Sequence, residues 1–327
     1  MKRYCILFVL VFIFVCAAVA QAKPKVLYIE SYHIGYKWDQ ELSRGFKSVL
    51  KDEVELFNFQ LDTKRLPVSE YSERADLAWR YYLDVNPDLV VLSDDNAMKL
   101  LSGRFSKTDT PVVYMGINDN PRIYSRLGNN ITGVLERPLY KRTVKYLKEL
   151  LNLDDGKVLI LLDEGTTSEV FKEVVFKDRK SLLISGIKTD VWSCSDYSEW
   201  QKAVKNARKN GYKAIIVGLY HRLFDDGVNI DGEKVLSWTS ENSPVPIFAF
   251  WEMSVGRGRA VGGMVLSGEV QGQAAGKIVL QILHGKPIGT LNPIIPTQGA
   301  FVFSRSELDR WKILLPRYIK RQARILE

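Results

Sequence analysis

The sequence predicts an α/β fold built from two doubly wound parallel sheets that follow one another along the chain. The stretch Lys25–Gly45 reads as strand, polar turn and helix: an apolar run of β-branched and aromatic residues is followed by apolar residues at helical spacing. The same alternation continues to about residue 131 and then begins again, with no detectable sequence repeat. Alternating strands and helices are typical of parallel sheets with right-handed crossovers.

The N-terminus before the first strand has the pattern of a secretory signal peptide. Two basic residues precede an unbroken apolar run, Ile6–Val19, and Ala20–Ala22 has the small-residue ending of a cleavage site. We expect export and cleavage after Ala22, so that residues 1–22 are not part of the fold. The apolar run is short for a membrane span, and an uncleaved anchor is the alternative. A lipid anchor at Cys16 is disfavoured by the bulky Val15 before it.

Composition limits the classes of function. Removal of residues 1–22 from the 327 leaves 305, which is enough for two domains. Cys194 is then the last cysteine, so an intramolecular disulfide is excluded, and the net charge falls from +8 to +6. The basic residues are spread over predicted helix faces and form no dense run with aromatic residues. We therefore expect no nucleic-acid partner.

Each predicted element has its own local signal. In the first half, apolar runs predict strands and amphipathic spacing predicts the helices between them. The predicted strands are 25–29, 54–61, 88–92, 111–115 and 130–134, and the predicted helices are 38–50, 70–83 and 97–101. In the second half the predicted strands are 157–162, 187–192, 214–217, 246–250 and 262–267, the predicted helices are 139–151, 269–283 and 306–314, and 293–303 is extended. Gly272 and Gly276 lie one helical turn apart in the predicted helix 269–283. Because glycine otherwise weakens a helix interior, their presence predicts close backbone packing there.

Three segments carry a resemblance to a known family: Val112–Asp119, Asn130–Val134, and Gly262–Gly285 with the following Lys286 and Pro287. Together and in this order they resemble the substrate-binding proteins of bacterial ABC transporters, in the branch that includes tryptophan- and tyrosine-binding members. The resemblance extends over most of the chain, from about residue 25 to 316. Its motifs are small-residue patterns at strand ends that are weak singly and informative in combination.

The resemblance implies a periplasmic binding protein fold, type I-like, with two lobes joined by three crossovers and closing on a ligand like a hinge. Residues 23–131 plus 268–287 would form the first lobe, and 132–267 plus 288–327 the second. It also implies a periplasmic protein, monomeric and without cofactor or catalysis, that passes a small molecule to an ABC permease. A ligand-loaded partner of a membrane receptor or histidine kinase is the alternative.

Polar and aromatic residues follow many of the predicted strands, and ligands of parallel sheets bind beyond the carboxyl ends of the strands. If the lobes face each other, these residues converge in one cleft. The candidates from the first lobe are Ser31, Tyr32, Trp38, Asp39, Asp94, Asp95, Asn96 and Asn118. Those from the second lobe are Glu164, Thr166, Tyr220, His221, Trp251 and Glu252.

These residue types favour an amino acid or an amine as the ligand. We expect Tyr32 and Trp38 to face Tyr220 and Trp251 as opposing aromatic walls, because rings supply apolar area and cation–π attraction. Asp95 or Glu252 would then accept the ammonium group of the ligand. The carboxylate of the ligand would bind the backbone N–H groups of the turn Ser93–Asn96, which precedes a predicted helix.

Two alternatives remain open at this point. Asp94 and Asp95 could instead cap their own helix. Trp38 and Trp251 could fill the core behind the strand ends.

Enzymatic functions have less support in the sequence. The three histidines, His33, His221 and His284, lack the spacing of a metal site. Gly165–Thr167 lacks the lysine of a phosphate-binding loop. A carboxylate pair of the glycosidase type stays open, although no spacing singles one out.

Overall fold

The computed structural model describes residues 22–124, 128–137, 139–153, 156–296 and 299–327. The predicted signal peptide, except for its last residue, lies outside the described residues. Among the helices of the described ranges, none combines the length and the apolar character that crossing a membrane requires.

The first sheet has five strands, all parallel, with helices on both faces. Its strands are β1 (Lys25–Glu30), β2 (Glu55–Gln60), β3 (Leu89–Ser93), β4 (Val112–Ile117) and β5 (Ile131–Leu135), and the helices between them are α1 (Lys37–Leu50), α2 (Tyr71–Val85) and α3 (Asp94–Phe105). The strand order is β2-β1-β3-β4-β5. Val26 and Tyr28 pack on the side of α1, whereas Leu27 and Ile29 pack on the side of α2 and α3. The sheet is therefore doubly wound, as predicted.

A second five-stranded sheet follows. Its part of the chain contains α4 (Tyr140–Leu150), β6 (Lys157–Leu162), α5 (Thr166–Phe171), β7 (Ser181–Ile184), β8 (Ile187–Ser193), α6 (Tyr197–Lys205), β9 (Tyr212–Val217), the short hairpin β10 (Phe224–Asp225) and β11 (Val228–Asn229), α7 (Gly232–Asn242) and β12 (Ile247–Ala249). The order is β12-β9-β6-β8-β7, and only β7 runs antiparallel to its neighbour. Strand β7 was not predicted: it is a short edge strand in which only Ile184 is buried.

The last part of the chain contributes elements to both halves of the structure. It comprises β13 (Gly262–Val265), α8 (Gly268–Leu283), β14 (Ala300–Ser304), α9 (Arg305–Trp311), α10 (Arg317–Gln322) and β15 (Arg324–Leu326). Strand β13 pairs with β14 beside the second sheet, whereas α8 lies on α1 of the first. The connections that follow β5 and α8 run side by side, since Leu135 N–H donates to the Ile294 carbonyl at 2.8 Å. The lobe bounds given above remain a prediction.

Helices α1 and α8 pack backbone to backbone. A Cβ added to Gly272 would lie 2.0 Å from the Leu42 carbonyl oxygen, and one added to Gly45 would lie 2.0 Å from the Glu269 carbonyl oxygen. The predicted close packing at Gly272 is thus confirmed. Because α1 begins at the cleft, its position against α8 also places the cleft residues at its N-terminal end.

Helix α3 begins earlier than predicted. The expected turn at 93–96 is the first turn of the helix, because Asp94 adopts a left-handed conformation with φ of 72° and starts the helix at once. Positive φ is uncommon for a residue with a Cβ. Here the Asp94 carboxylate accepts the Asp95 N–H at 2.9 Å. Asp94 therefore binds the first turn of its own helix, one of the two roles considered for it.

Candidate functional site

Three cavities lie between the lobes, at the carboxyl ends of both sheets. The central cavity is lined by Tyr32, Tyr36, Trp38, Lys64, Asp94, Asn118, Glu136, Thr167, Leu219, Trp251 and Met253. The mouth cavity is lined by His33, Gly35, Tyr36, Lys37, Lys64, Arg65, Tyr220, His221, Asn229, Asp231, Gly232, Glu233 and Met253. The side cavity is lined by Tyr32, Thr63, Lys64, Val68, Tyr71, Asn96, Glu164, Gly165, Thr166, Thr167 and Arg222. Lys64 borders all three.

The two lobes are in contact across this cleft. Lys37 of α1 forms an ion pair with Glu233 of α7 at 2.8 Å, and Tyr36 meets His221 edge to face at 4.8 Å. The central cavity has a volume of about 10 Å³, whereas the mouth cavity has about 270 Å³. Since about 10–15 Å³ is the room that one water molecule needs, a solute can enter the central cavity only when the lobes separate.

Aromatic rings form much of the wall of the central cavity. Tyr32 and Trp38 come from the first lobe and Trp251 from the second, and each is only 3% exposed. The Tyr32 hydroxyl donates to Asp94 at 2.6 Å. The indole N–H of Trp251 donates to Glu136 at 2.5 Å and so joins the second lobe to the crossover after β5.

Two buried carboxylates, Asp94 and Glu136, face the same cavity. Burial raises the pKa of Asp94, although the Tyr32 hydroxyl and Lys64 oppose this rise. Burial, and then the charge of Asp94, raise the pKa of Glu136 well above its usual range. Within the described residues, Glu136 Oε2 has no hydrogen-bond partner. The cavity therefore has acceptor capacity that the protein does not use.

Lys64 supplies the opposite charge. Its side chain is buried, and its Nζ lies 4.5 Å from the centre of the Tyr32 ring and 5.3 Å from that of Tyr36. Both distances are within cation–π range. Across the cleft, the charge of Lys64 contributes to the lowered pKa of Asp163, a carboxylate that also accepts the Ser168 hydroxyl at 2.7 Å.

The structure brings ten of the fourteen predicted residues to the cavities. Tyr32, Trp38, Asp94, Asn118 and Trp251 line the central cavity. Asn96, Glu164 and Thr166 line the side cavity, and Tyr220 and His221 the mouth cavity. Tyr220 stacks on His221 at 4.2 Å and so does not oppose Tyr32 and Trp38 in the central cavity. Whether these residues bind a ligand remains a prediction.

The other four predicted residues lie outside the cavities, and two of them are engaged within the first lobe. Ser31 Oγ donates to the Ser93 carbonyl at 2.6 Å and so ties β1 to the start of α3. Asp95 accepts the N–H groups of Asn118 at 3.0 Å and Asp119 at 3.2 Å, and also the Tyr124 hydroxyl. Asp95 thus holds the loop after β4, and its geometry gives no support to a role in ammonium binding.

Glu252 and Asp39 are removed from the cavities in different ways. Glu252 lies in the short turn after β12, lines none of the three cavities and forms an ion pair with Arg324. Asp39 is fully buried, and neither carboxylate oxygen has a partner among the described residues. Burial, and then the charges of Glu30 and Asp94, raise the pKa of Asp39 well above its usual range.

The predicted site lacks six of the residues that line the central cavity: Tyr36, Lys64, Glu136, Thr167, Leu219 and Met253. Lys64 follows β2 and Glu136 follows β5. The signal that could have found them is the rule used for the other strands, because these two strand ends lie at the same edge of the first sheet.

The described residues hold no group of three or more His, Cys, Asp or Glu side chains placed to bind a metal. Cys194 is buried and unpaired, and burial raises the pKa of its thiol to about 12. The thiolate form is therefore scarce near neutral pH, in agreement with an inert cysteine.

Comparison with known proteins identifies the family. The family model described as ABC transporter substrate binding protein matches residues 79–325. The chain belongs to this family. The family assignment made from the sequence is thus confirmed. Members bind small molecules outside the cytoplasm and deliver them to ABC permeases, and the class is not enzymatic.

Solved structures confirm the fold. An ABC domain in complex with L-Trp from Streptococcus pneumoniae matches with a TM-score of 0.68 and 18% identity, covering 94% of this chain and 100% of that one. A conserved domain protein from Vibrio cholerae has a TM-score of 0.67 and 15% identity, covering 93% and 100%. A carbohydrate transporter solute-binding protein from Agrobacterium radiobacter, in complex with D-arabinose, has a TM-score of 0.56 and 12% identity, covering 93% and 99%. Among curated proteins, no sequence matches this chain.

Proposed function

We propose that this protein captures a small amine with an apolar or aromatic body, such as an amino acid, and delivers it to an ABC importer. The central cavity carries this proposal: it combines the rings of Tyr32, Trp38 and Trp251 with the buried carboxylates of Asp94 and Glu136. Aromatic faces attract both apolar surface and a cation, and a buried ammonium requires carboxylate partners. The free oxygen of Glu136 is the acceptor best placed to receive it.

The comparisons are compatible with this ligand class and do not select it. Of the related structures, one holds L-Trp and another holds D-arabinose. The same fold thus accommodates amino acids and sugars, and the choice depends on the side chains of the cleft. A cleft for sugars is typically rich in hydrogen-bonding groups, whereas the central cavity here is mainly aromatic with two acidic groups.

The setting of this function follows from the sequence. We propose that residues 1–22 direct export and are removed after Ala22, and that the mature chain works in the periplasm as a monomer. The proposed role contains no catalytic step, because the cleft groups bind and orient a solute. Opening and closing of the lobes about the three connections would admit and retain it.

A thermal-shift screen of the mature chain against amino acids, amines, nucleosides and sugars tests the proposal. We expect aromatic amino acids or aromatic amines to raise the melting temperature, because a ligand that binds only the folded state stabilises it by about 2.7 kcal/mol at 100 times its Kd. Sugars and nucleosides should leave it unchanged. Stabilisation by sugars alone would contradict the proposed ligand class.

A matched pair of variants locates the ammonium. Glu136→Gln should weaken binding of the amine about tenfold or more, because a charge-assisted hydrogen bond becomes a neutral one. Glu252→Gln is the control, since Glu252 pairs with Arg324 outside the cavities, and its affinity should equal that of the wild type. Titration calorimetry measures both. The reverse outcome would place the ammonium at Glu252.

A further inference from the structure

The mouth cavity is the largest of the three cavities described above, and the proposed binding of an amine leaves it unexplained. It has about 270 Å³ and adjoins the central cavity, because Tyr36, Lys64 and Met253 line both. It is therefore open to any part of a solute that extends from the central cavity.

The carboxylates at the mouth are already paired. Glu233 forms ion pairs with Lys37, at 2.8 Å, and with Arg259. Asp231 caps α7 by accepting the N–H groups of Glu233 at 3.0 Å and Lys234 at 3.2 Å. Neither carboxylate is left to attract a cationic group of the solute.

Of the cations at the mouth, Lys64 differs from the other two. Lys37 is paired with Glu233, and Arg65 is paired with Asp62 through two hydrogen bonds of 2.6 and 2.7 Å. Within the described part of the chain, the Lys64 ammonium lies over the faces of Tyr32 and Tyr36 and has no ion-pair partner within 4 Å, although its charge acts on the carboxylates of Asp94 and Asp163 from farther away. A buried ammonium that lacks an ion-pair partner favours an anion beside it.

The two histidines at the mouth add neutral donors. His33 Nδ1 accepts the Gly35 N–H at 3.1 Å, so the neutral ring carries its proton on Nε2. Burial, together with the charges of Lys64 and its cationic neighbours, lowers the pKa of both His33 and His221. The lowered pKa values favour the neutral form of both rings, with burial as the largest cause and nearby positive charges as the next.

We propose that the mouth cavity is an anion subsite, in which Lys64 and His33 bind a carboxylate of the same solute whose amino group lies beside Glu136. This inference rests on the proposed function and narrows its ligand class from amines in general to compounds that carry both an amino group and a carboxylate. The carboxylate can come from a free amino acid or from the C-terminus of a dipeptide, and the volume of the cavity admits either.

Calorimetric titration with L-tryptophan, tryptamine and the dipeptide Trp-Gly tests this subsite. The wild type should bind tryptophan or Trp-Gly about ten- to a hundredfold more tightly than tryptamine, which lacks the carboxylate. The Lys64→Met variant, whose side chain is of similar length, should abolish this difference. It should bind the carboxylate-bearing compounds more weakly than the wild type does, and tryptamine equally or more tightly. Whichever of tryptophan and Trp-Gly binds more tightly to the wild type identifies the source of the carboxylate.

Lys172→Met is the control, because it is the same substitution at a lysine that pairs with Glu169 at 2.7 Å and lines none of the three cavities. It should keep the preference for the carboxylate. His33→Ala offers a second variant on a partly exposed loop, with a smaller loss confined to the carboxylate-bearing compounds. Equal binding of tryptamine and tryptophan by the wild type, or an unchanged preference in both Lys64→Met and His33→Ala, would overturn the subsite and leave the proposed function intact. Failure of all three compounds to bind the wild type would contradict the proposed function itself.

Discussion

Replacing Trp251 by alanine is expected to lower the free energy of unfolding by about 3–5 kcal/mol, the usual cost of truncating a buried aromatic side chain. The indole is 3% exposed, contacts Phe250 edge to face at 6.0 Å and donates to Glu136. The variant therefore loses packing and also leaves a buried carboxylate without its donor. Urea denaturation measures this loss.

The same variant should weaken solute binding by about 1–3 kcal/mol if the indole stacks on the ligand. Calorimetric titration at a temperature where the variant is folded measures this separately from stability. Trp251→Phe is the matched control: it keeps an aromatic ring but lacks the N–H group, so it should recover much of the affinity. An affinity equal to that of the wild type in Trp251→Ala would remove Trp251 from the binding site and leave it a purely structural role.

Replacing Gly272 by alanine is the second change with a large expected effect. The added methyl group would lie 2.0 Å from the Leu42 carbonyl oxygen and 2.7 Å from the Phe46 nitrogen, which are backbone atoms of α1. Backbone atoms cannot rotate aside as a side chain can, so α1 and α8 must separate. Overpacking of this kind costs about 1–3 kcal/mol and occasionally more, and we expect the upper end of that range.

Gly103→Ala, in helix α3, is the control and is expected to raise the stability rather than lower it. Gly103 lies inside α3, and a Cβ added there meets no atom within 4 Å apart from its chain neighbours and the nearby backbone of its own helix. Alanine is the better helix former by about 0.5–1 kcal/mol, so this variant should be more stable than the wild type. Urea denaturation of both variants compares them directly. If both variants lost a similar amount of stability, the close contact between α1 and α8 would not be the cause of the loss in Gly272→Ala.

Much of the fold could be predicted because its signals are local. The apolar runs at 157–162 and 187–192 are strands in the structure, and the restart of the alternation after residue 131 marks the second sheet. The antiparallel edge strand β7 was missed because only one of its four side chains, Ile184, is buried, so burial does not impose on it the continuous apolar pattern of the central strands.

The candidate site was harder to predict than the fold. The sequence shows which residues follow a strand, whereas it does not show which way their side chains turn. Asp94 and Asp95 are neighbours in the chain. Asp94 lines the central cavity, whereas the carboxylate of Asp95 accepts hydrogen bonds from the loop after β4. Glu136 and Trp251 are 115 positions apart in the chain, and their hydrogen bond depends on the lobes meeting.

Hydrogen exchange of the backbone amides, with and without the solute found in the thermal-shift screen, tests most directly that the solute is held between the lobes. Binding there should slow exchange in segments of both lobes at once, because closing suppresses local opening on both sides of the cleft. We expect protection at 32–38 and 63–65 in the first lobe and at 164–167 and 220–222 in the second. Protection confined to one lobe, or located away from these segments, would contradict binding in the cleft.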